Sequence, residues 1–141
     1  MFLIDTNILL EVMLARAKRK ACIEFLNAVK TGREKAAVTD FTIYSIMIIL
    51  HGRGKLRELD RFLRSLSAYK GLTLYATSLE DKLEAVELAI NGEFDVDDAV
   101  QYASARSLGV KAIISLDRHF DDRVIPRMDP RQLHFLSGVS R

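Results

Sequence analysis

The chain opens on an uninterrupted apolar run, Met1-Phe2-Leu3-Ile4, that stops at Asp5. A strand with apolar residues at odd and even positions alike has no face to give to water, so it belongs in the middle of a sheet covered on both sides. Asp5 stands where this strand must end, and a short helix over Asn7 to about Leu14 follows at once. Open parallel sheets build their sites beyond the carboxyl ends of their strands. A carboxylate at that point is therefore a candidate functional group as well as a candidate helix cap.

The rest of the sequence repeats the alternation. Cys22, Phe25, Leu26 and Val29 fall at helical spacing and stop at Gly32, and Ala36-Ala37-Val38-Thr39 reads as a second strand. Asp40 suits an N-cap for Phe41 to Leu50, a segment apolar nearly all round, which a helix must bury on more than one side, a subunit interface included. Leu56, Leu59, Leu63 and Leu66 mark the next helix, and Leu72-Thr73-Leu74-Tyr75 the third strand. Thr77-Ser78-Leu79-Glu80 fits a capping box, with Leu79, Leu83, Val86 and Ile90 striping the helix that follows. The last long helix begins at Asp95-Val96-Asp97-Asp98 and ends at Gly109, and Ala112-Ile113-Ile114-Ser115 is a fourth strand. A final extended piece is expected at Val124-Ile125 or Leu133-His134-Phe135-Leu136. Strands alternating with helices require right-handed crossovers and hence a three-layer α/β/α domain, with a mostly parallel sheet of four or five strands. No repeat or linker divides residues 1–141, so one domain is expected.

Composition narrows the setting. With 49% hydrophobic and 28% charged residues the chain has the balance of a soluble globular protein. Its only cysteine, Cys22, excludes an internal disulfide, the opening apolar run is too short for a signal peptide, and nothing resembles a membrane span; a cytoplasmic protein is expected. The net charge of +2 permits nucleic acid binding without arguing for it.

The chemistry rests on three acids at equivalent places: Asp5 after the first strand, Asp98 at the start of the last long helix and Asp117 after the fourth strand. In a parallel sheet they converge on one edge. Gathering carboxylates costs repulsion and desolvation, which a hard cation such as Mg²⁺ or Mn²⁺ offsets, and such a site favours attack of an activated water on a phosphodiester. Taken singly, each acid serves equally well as a helix cap or turn residue. An EF-hand counted from Asp95 fails, because Val100 and Arg106 stand where Gly and Glu are needed. Asn7 excludes the paired aspartates of a dehalogenase-type phosphatase, and no Gly-rich turn marks a dinucleotide site.

Three motifs in order, Ile4-Asp5-Thr6-Asn7-Ile8-Leu9-Leu10, Phe94-Asp95-Val96-Asp97-Asp98-Ala99-Val100-Gln101-Tyr102-Ala103 and Ile114-Ser115-Leu116-Asp117-Arg118-His119-Phe120-Asp121, resemble the PIN-domain family, in a single-domain form similar to VapC-type toxins. The resemblance implies a metal-dependent endoribonuclease that leaves a 5′-phosphate. In it Asp5, Asp98 and Asp117 would hold Mg²⁺ or Mn²⁺, and Ser115 would position Asp117 or the metal-bound water. It also implies an antitoxin partner, and a homodimer that fits the Phe41 to Leu50 segment. One position departs from the pattern: Ser45 stands where the family usually has a glutamate, with Asp40 and Glu11 as candidate compensating acids. The rival reading is the same fold as a weak or non-catalytic RNA-binding or protein-interaction module. Arg16, Lys18, Arg19 and Lys20 are candidate RNA contacts. Arg57, Arg61 and Arg64 read mainly as a solvated face beside Glu58 and Asp60. His119 reads as a turn residue, and Tyr44 and Tyr102 as core.

Overall fold

The computed structural model describes residues 1–133. Among them, strands β1 (Phe2–Ile4), β2 (Ala36–Thr39), β3 (Leu72–Tyr75), β4 (Ala112–Ile114) and β5 (Arg127–Met128) pair in the order β3-β2-β1-β4-β5, every pair parallel. The opening run is thus the central strand, and the expected α/β/α sandwich is what forms. Its alternation is divided between two cores. Phe2 and Ile4 pack with Ile8, Phe25, Val29, Ile46 and Leu50 on one face, while Leu3 packs with Ala99, Ala103, Ile113 and Phe120 on the other. No helix among the described residues is long and apolar enough to cross a membrane.

Helices α1 (Thr6–Met13), α2 (Arg19–Lys30), α3 (Asp40–Gly52), α4 (Leu56–Ser65), α5 (Leu79–Ile90) and α6 (Val96–Leu108) cover the sheet. The β-branched segment after β2 is indeed helical, but its cap is Thr39, whose hydroxyl accepts from Thr42 N at 3.1 Å. Asp40 instead accepts from the backbone N and hydroxyl of Thr77 and so ties α3 to the turn before α5. The capping box of α5, by contrast, is one residue later than expected, formed by Ser78 and Asp81.

The stripe on α5 points the other way from its expected direction. Leu79, Leu83, Val86 and Ile90 are 68, 61, 49 and 77% exposed, while Asp81, Ala85 and Leu88 turn inward. The cause is a buried carboxylate. Asp81 accepts from Tyr75 Oη and Ser107 Oγ, both at 2.5 Å, and from Ser78 N at 2.9 Å. Burial alone would raise its pKa, yet the hydrogen bonds from Ser107, Tyr75 and Ser78 outweigh this and hold it below the usual carboxylate range. The small side chains of α6 then let α5 approach closely, and its larger apolar residues are left outside. Tyr44, expected in the core, is also exposed, whereas Tyr102 is buried and its hydroxyl accepts from Ile125 N at 3.2 Å.

The final strand lies just past Val124 and Ile125, where Arg127 pairs with Ile113 and Met128 with Ile114. Val124 is almost fully exposed. Leu133 is helical, and His134, Phe135 and Leu136 lie outside the described residues.

Candidate metal centre at the carboxyl edge of the sheet

Asp5 leaves β1 and enters α1, Asp98 sits in the first turn of α6, and Asp117 follows β4 and caps a short 3₁₀ turn, Arg118–Phe120. All three line one cleft of about 310 Å³ at the carboxyl edge of the sheet, together with Asn7, Ser45, Asp97 and Gln101. The acids arrive together because β1 and β4 are adjacent and parallel, with Ile4 opposite Ile114.

Asp5 is the most enclosed of the three. Its Oδ1 accepts from Thr6 N at 2.8 Å and Gln101 Nε2 at 3.2 Å, and its Oδ2 accepts from Ser115 Oγ at 2.8 Å and Asn7 Nδ2 at 3.1 Å. Ser115 Oγ in turn accepts from Asp117 N at 2.9 Å, so one hydroxyl ties Asp5 to the backbone that carries Asp117. Burial pushes the Asp5 carboxyl above the 3.8 of a free aspartate, and the charge of Asp117 adds to this, despite the hydrogen bonds from Ser115, Gln101 and Thr6. Asp98 is raised for the same first reason, and then by Asp97, Asp5 and Asp117.

The raised value has a pH consequence. A folded carboxyl that holds its proton more tightly than the unfolded one contributes most to stability below the unfolded pKa, and that contribution is lost as pH rises through the folded pKa. In metal-free protein, Asp5→Asn is therefore expected to lose less stability than wild type between about pH 4 and about pH 8. Thermal melts of both proteins at the two pH values check this; an equal fall would mean that Asp5 is not strained by its charge.

Gln101 joins this site without having been among the candidate residues. It is fully buried, donates to Asp5 and to Thr42 Oγ1 at 2.8 Å, and accepts from Thr39 Oγ1 at 2.9 Å. With Thr39 donating to its carbonyl, the Gln101 amide group must face Asp5, which fixes Asp5 as an acceptor. Its sequence signals are its place inside the Phe94 to Ala103 motif and its position three residues after Asp98, on the same face of α6.

His119 is the turn residue expected of it, and its ring also meets two of the acids. Its Nδ1 lies 2.7 Å from Asp98 Oδ2 and 3.2 Å from Asp117 Oδ2, and its backbone N donates to Asp117 Oδ1 at 3.0 Å. The hydrogen bond to Asp98, and then the charges of Asp117 and Asp98, raise its pKa.

The donor set suits a hard divalent cation. Oxygens of Asp98 and Asp117 and a ring nitrogen of His119 all lie within 4.8 Å of one another, and the burial and mutual repulsion of Asp5 and Asp98 are what a positive ion relieves.

The comparison that decides the family is with family models: the one described as PIN domain matches residues 2–124. The chain belongs to the PIN-domain family. No curated protein sequence matches this PIN domain. Solved structures share its fold at low identity. A toxin–antitoxin complex from Klebsiella pneumoniae is 20% identical over 92% of this chain and 98% of that one, with a TM-score of 0.68. FitAcB from Neisseria gonorrhoeae is 16% identical over 93% and 99%, with a TM-score of 0.71. VapC20 of Mycobacterium tuberculosis, a toxin that cleaves the sarcin–ricin loop, is 16% identical over 83% and 90%, with a TM-score of 0.67.

Apart from Ser45, the remaining sequence candidates do not line the cleft of this PIN domain. Glu11 is buried, but its Oε2 accepts from Lys18 N at 2.7 Å and so shapes the α1–α2 connection. Asp40 is engaged with Thr77. Ser45 does line the cleft, and Asp97 is a further acid in the same lining. Arg16, Lys18, Arg19 and Lys20 are exposed at the far end of α1, whose eight residues span about 12 Å. Arg19 is folded back on the carbonyls of Ala15 and Arg16. Arg57, Arg61 and Arg64 are exposed, and Arg64 pairs with Asp60, the solvated arrangement expected of them.

Proposed function

We propose that this PIN domain is a divalent-metal-dependent endoribonuclease that cuts RNA phosphodiester bonds, and the toxin of a toxin–antitoxin pair. The observation that carries the reading is the convergence of Asp5, Asp98 and Asp117 on a single cleft at the carboxyl edge of the sheet. These residues would hold Mg²⁺ or Mn²⁺, which supplies water activation and neutralises charge on the phosphate. The chain itself does the positioning. Ser115 and Gln101 clamp Asp5 from two sides, the backbone of Asp117 is held by the same Ser115 hydroxyl, and Asn7 spans Asp5 and Ser115. The basic group Arg16, Lys18, Arg19 and Lys20 is the candidate RNA track leading away from the cleft, along the length of α1.

The antitoxin enters through the structural neighbours, which include a toxin–antitoxin complex. Self-association is supported by the outward apolar faces of α3 and α5. Tyr44 and Ile48 on α3 are exposed, and a cleft lined by Phe41, Tyr44, Val86, Val96 and Val100 joins α3 to α5 and α6. The homodimer surface therefore extends the Phe41 to Leu50 segment onto α5. A cytoplasmic setting agrees with the buried free thiol of Cys22.

Cleavage of defined single-stranded RNAs by metal-stripped protein tests the reading, with Mn²⁺ or Mg²⁺ restored against a chelator control. New 5′-phosphate ends that appear only with the cation are expected. Products with cyclic 2′,3′-phosphate ends, or cutting that persists in chelator, would refute it. A second reading has its own observation. Ser45 offers no carboxylate to the cleft, so a PIN fold that binds RNA or a protein without cutting is the outcome if no divalent ion restores activity. Ser45→Glu is expected to tighten Mn²⁺ binding by about 10-fold or more, the scale on which groups around a metal site act. Titration calorimetry reads this directly, and unchanged affinity would show that the missing acid does not belong at Ser45.

A further inference from the structure

Resting on the metal-site reading above, we infer that the α3 wall of the cleft is a subsite for one unpaired nucleobase next to the bound phosphate, with Phe41 as its stacking surface and Ser45 as its polar contact.

The cleft is lined by two unlike sets of side chains. The sheet edge and the first turn of α6 bring Asp5, Asp117, Asp97 and Asp98, whereas α3 brings Phe41, Ser45 and Ile49 and no charge. Their four-residue spacing puts these three on one face of α3, and Leu10 of α1 adds to the apolar lining. A ligand that satisfies both sets carries negative charge to the cation and a flat, largely apolar body to α3. A nucleotide has that form, and phosphate alone meets only the first half of it. The volume of about 310 Å³ suits one nucleotide rather than a duplex. Single-stranded RNA is the substrate that offers unstacked bases to such a wall.

Phe41 carries the inference. Ile49 and Leu10 belong to the core beneath α1 and α3, but Phe41, although half-buried, belongs to neither core and has no ring partner among the described residues. Its backbone is nevertheless held. Phe41 N donates to Asp40 Oδ1 at 2.8 Å, and the same oxygen accepts from Thr77 N and Oγ1. An anchored aromatic residue that packs against neither core, at the edge of a phosphate site, is what an unstacked base lies on.

Ser45 favours a base over an aliphatic side chain of a protein. Among the described residues nothing hydrogen-bonds its hydroxyl, and its neighbours on that face of α3 are apolar. An aliphatic group laid over it would bury the hydroxyl unpaired, at a cost in affinity. The edge of a base carries donors and acceptors, and a hydroxyl can answer either.

The experiment titrates the Mn²⁺-loaded chain with adenosine 5′-monophosphate and with ribose 5-phosphate, which differ only by the base, and reads both affinities by calorimetry. Wild type is expected to bind the nucleotide about 10-fold more tightly or better. Phe41→Ala and Phe41→Leu are expected to bring the nucleotide down to the level of the sugar phosphate, and Phe41→Tyr to keep most of the preference. Ser45→Ala is expected to weaken the nucleotide by roughly 3- to 10-fold. In all four variants Mn²⁺ affinity is expected to stay at the wild-type value. Equal binding of the two ligands by wild type overturns the subsite, leaves the α3 wall to a protein partner and leaves the metal reading standing. A preference that survives both Phe41→Ala and Phe41→Leu overturns it as well, since the base then lies elsewhere. Mn²⁺ affinity that falls in the Phe41 variants overturns it by making Phe41 a support of the metal site. Failure of wild type to bind Mn²⁺ overturns the metal reading and the subsite with it. The wild-type comparison and Phe41→Tyr keep the test decisive even if the truncated variants fold poorly.

Discussion

Asp98→Asn is expected to lower metal-dependent RNA cleavage by roughly 10²- to 10³-fold, the scale on which a single preorganised charge at a reacting centre acts. The substitution keeps size and shape and removes one negative charge. In metal-free protein that charge is a liability, because Asp98 is nearly buried and its carboxyl is raised by that burial and by the neighbouring Asp97, Asp5 and Asp117. Folding stability at neutral pH is therefore expected to hold or to rise, even though the hydrogen bond to the exposed His119 becomes a neutral one. Opposite signs for activity and stability mark a residue kept for its chemistry. Initial rates with Mn²⁺ and thermal melts in chelator measure the two sides. Cleavage within about 3-fold of wild type, a difference of well under 1 kcal/mol, would remove Asp98 from the machinery.

The parts of this site that were legible in the sequence are those fixed by position along the chain. Asp5 and Asp117 each stand directly after an apolar strand, and parallel neighbours bring such residues to one edge whatever the details of packing. The sheet itself was legible for the same reason, since a strand apolar on both faces admits no other place than the centre. What the sequence left open depends on direction across space. The stripe of Leu79, Leu83, Val86 and Ile90 declares a helix but not which side the rest of the protein covers; the buried Asp81, held by Tyr75 and Ser107, decides that. Asp40 and Glu11 are acids at plausible spacings whose side chains turn to Thr77 and to the backbone of Lys18. Conversely Gln101 and His119 carry no strand-end signal. Their roles come from a helix face and a two-residue turn that acquire meaning only once Asp98 and Asp117 have met.

Gln101→Leu is expected to cost about 2 to 3 kcal/mol, because it strands buried groups on three elements at once. For a chain of this size that corresponds to a fall in Tm of roughly 6 to 12 °C. The leucine fits the volume but offers neither the donors taken by Asp5 and Thr42 nor the acceptor taken by Thr39. Partial rescue is built in, since Thr42 Oγ1 keeps Thr6 Oγ1 at 2.9 Å and Thr39 Oγ1 has Thr42 Oγ1 at 3.3 Å. Asp5 has no such substitute on Oδ1 beyond Thr6 N, and its charge then sits in a less polar surrounding. A double-mutant cycle separates the network from plain packing. Thr39→Val alone loses the α3 cap and orphans the Gln101 carbonyl; in the Gln101→Leu background it loses only the cap, about 1 kcal/mol. The two changes are therefore expected to be less than additive by about 1 kcal/mol, well outside the scatter seen for independent sites. Strict additivity would mean that Gln101 supports the fold without fixing the orientation of Asp5. Coupling of the expected sign would instead make the helix that carries Asp98 also the element that holds Asp5 ready as an acceptor.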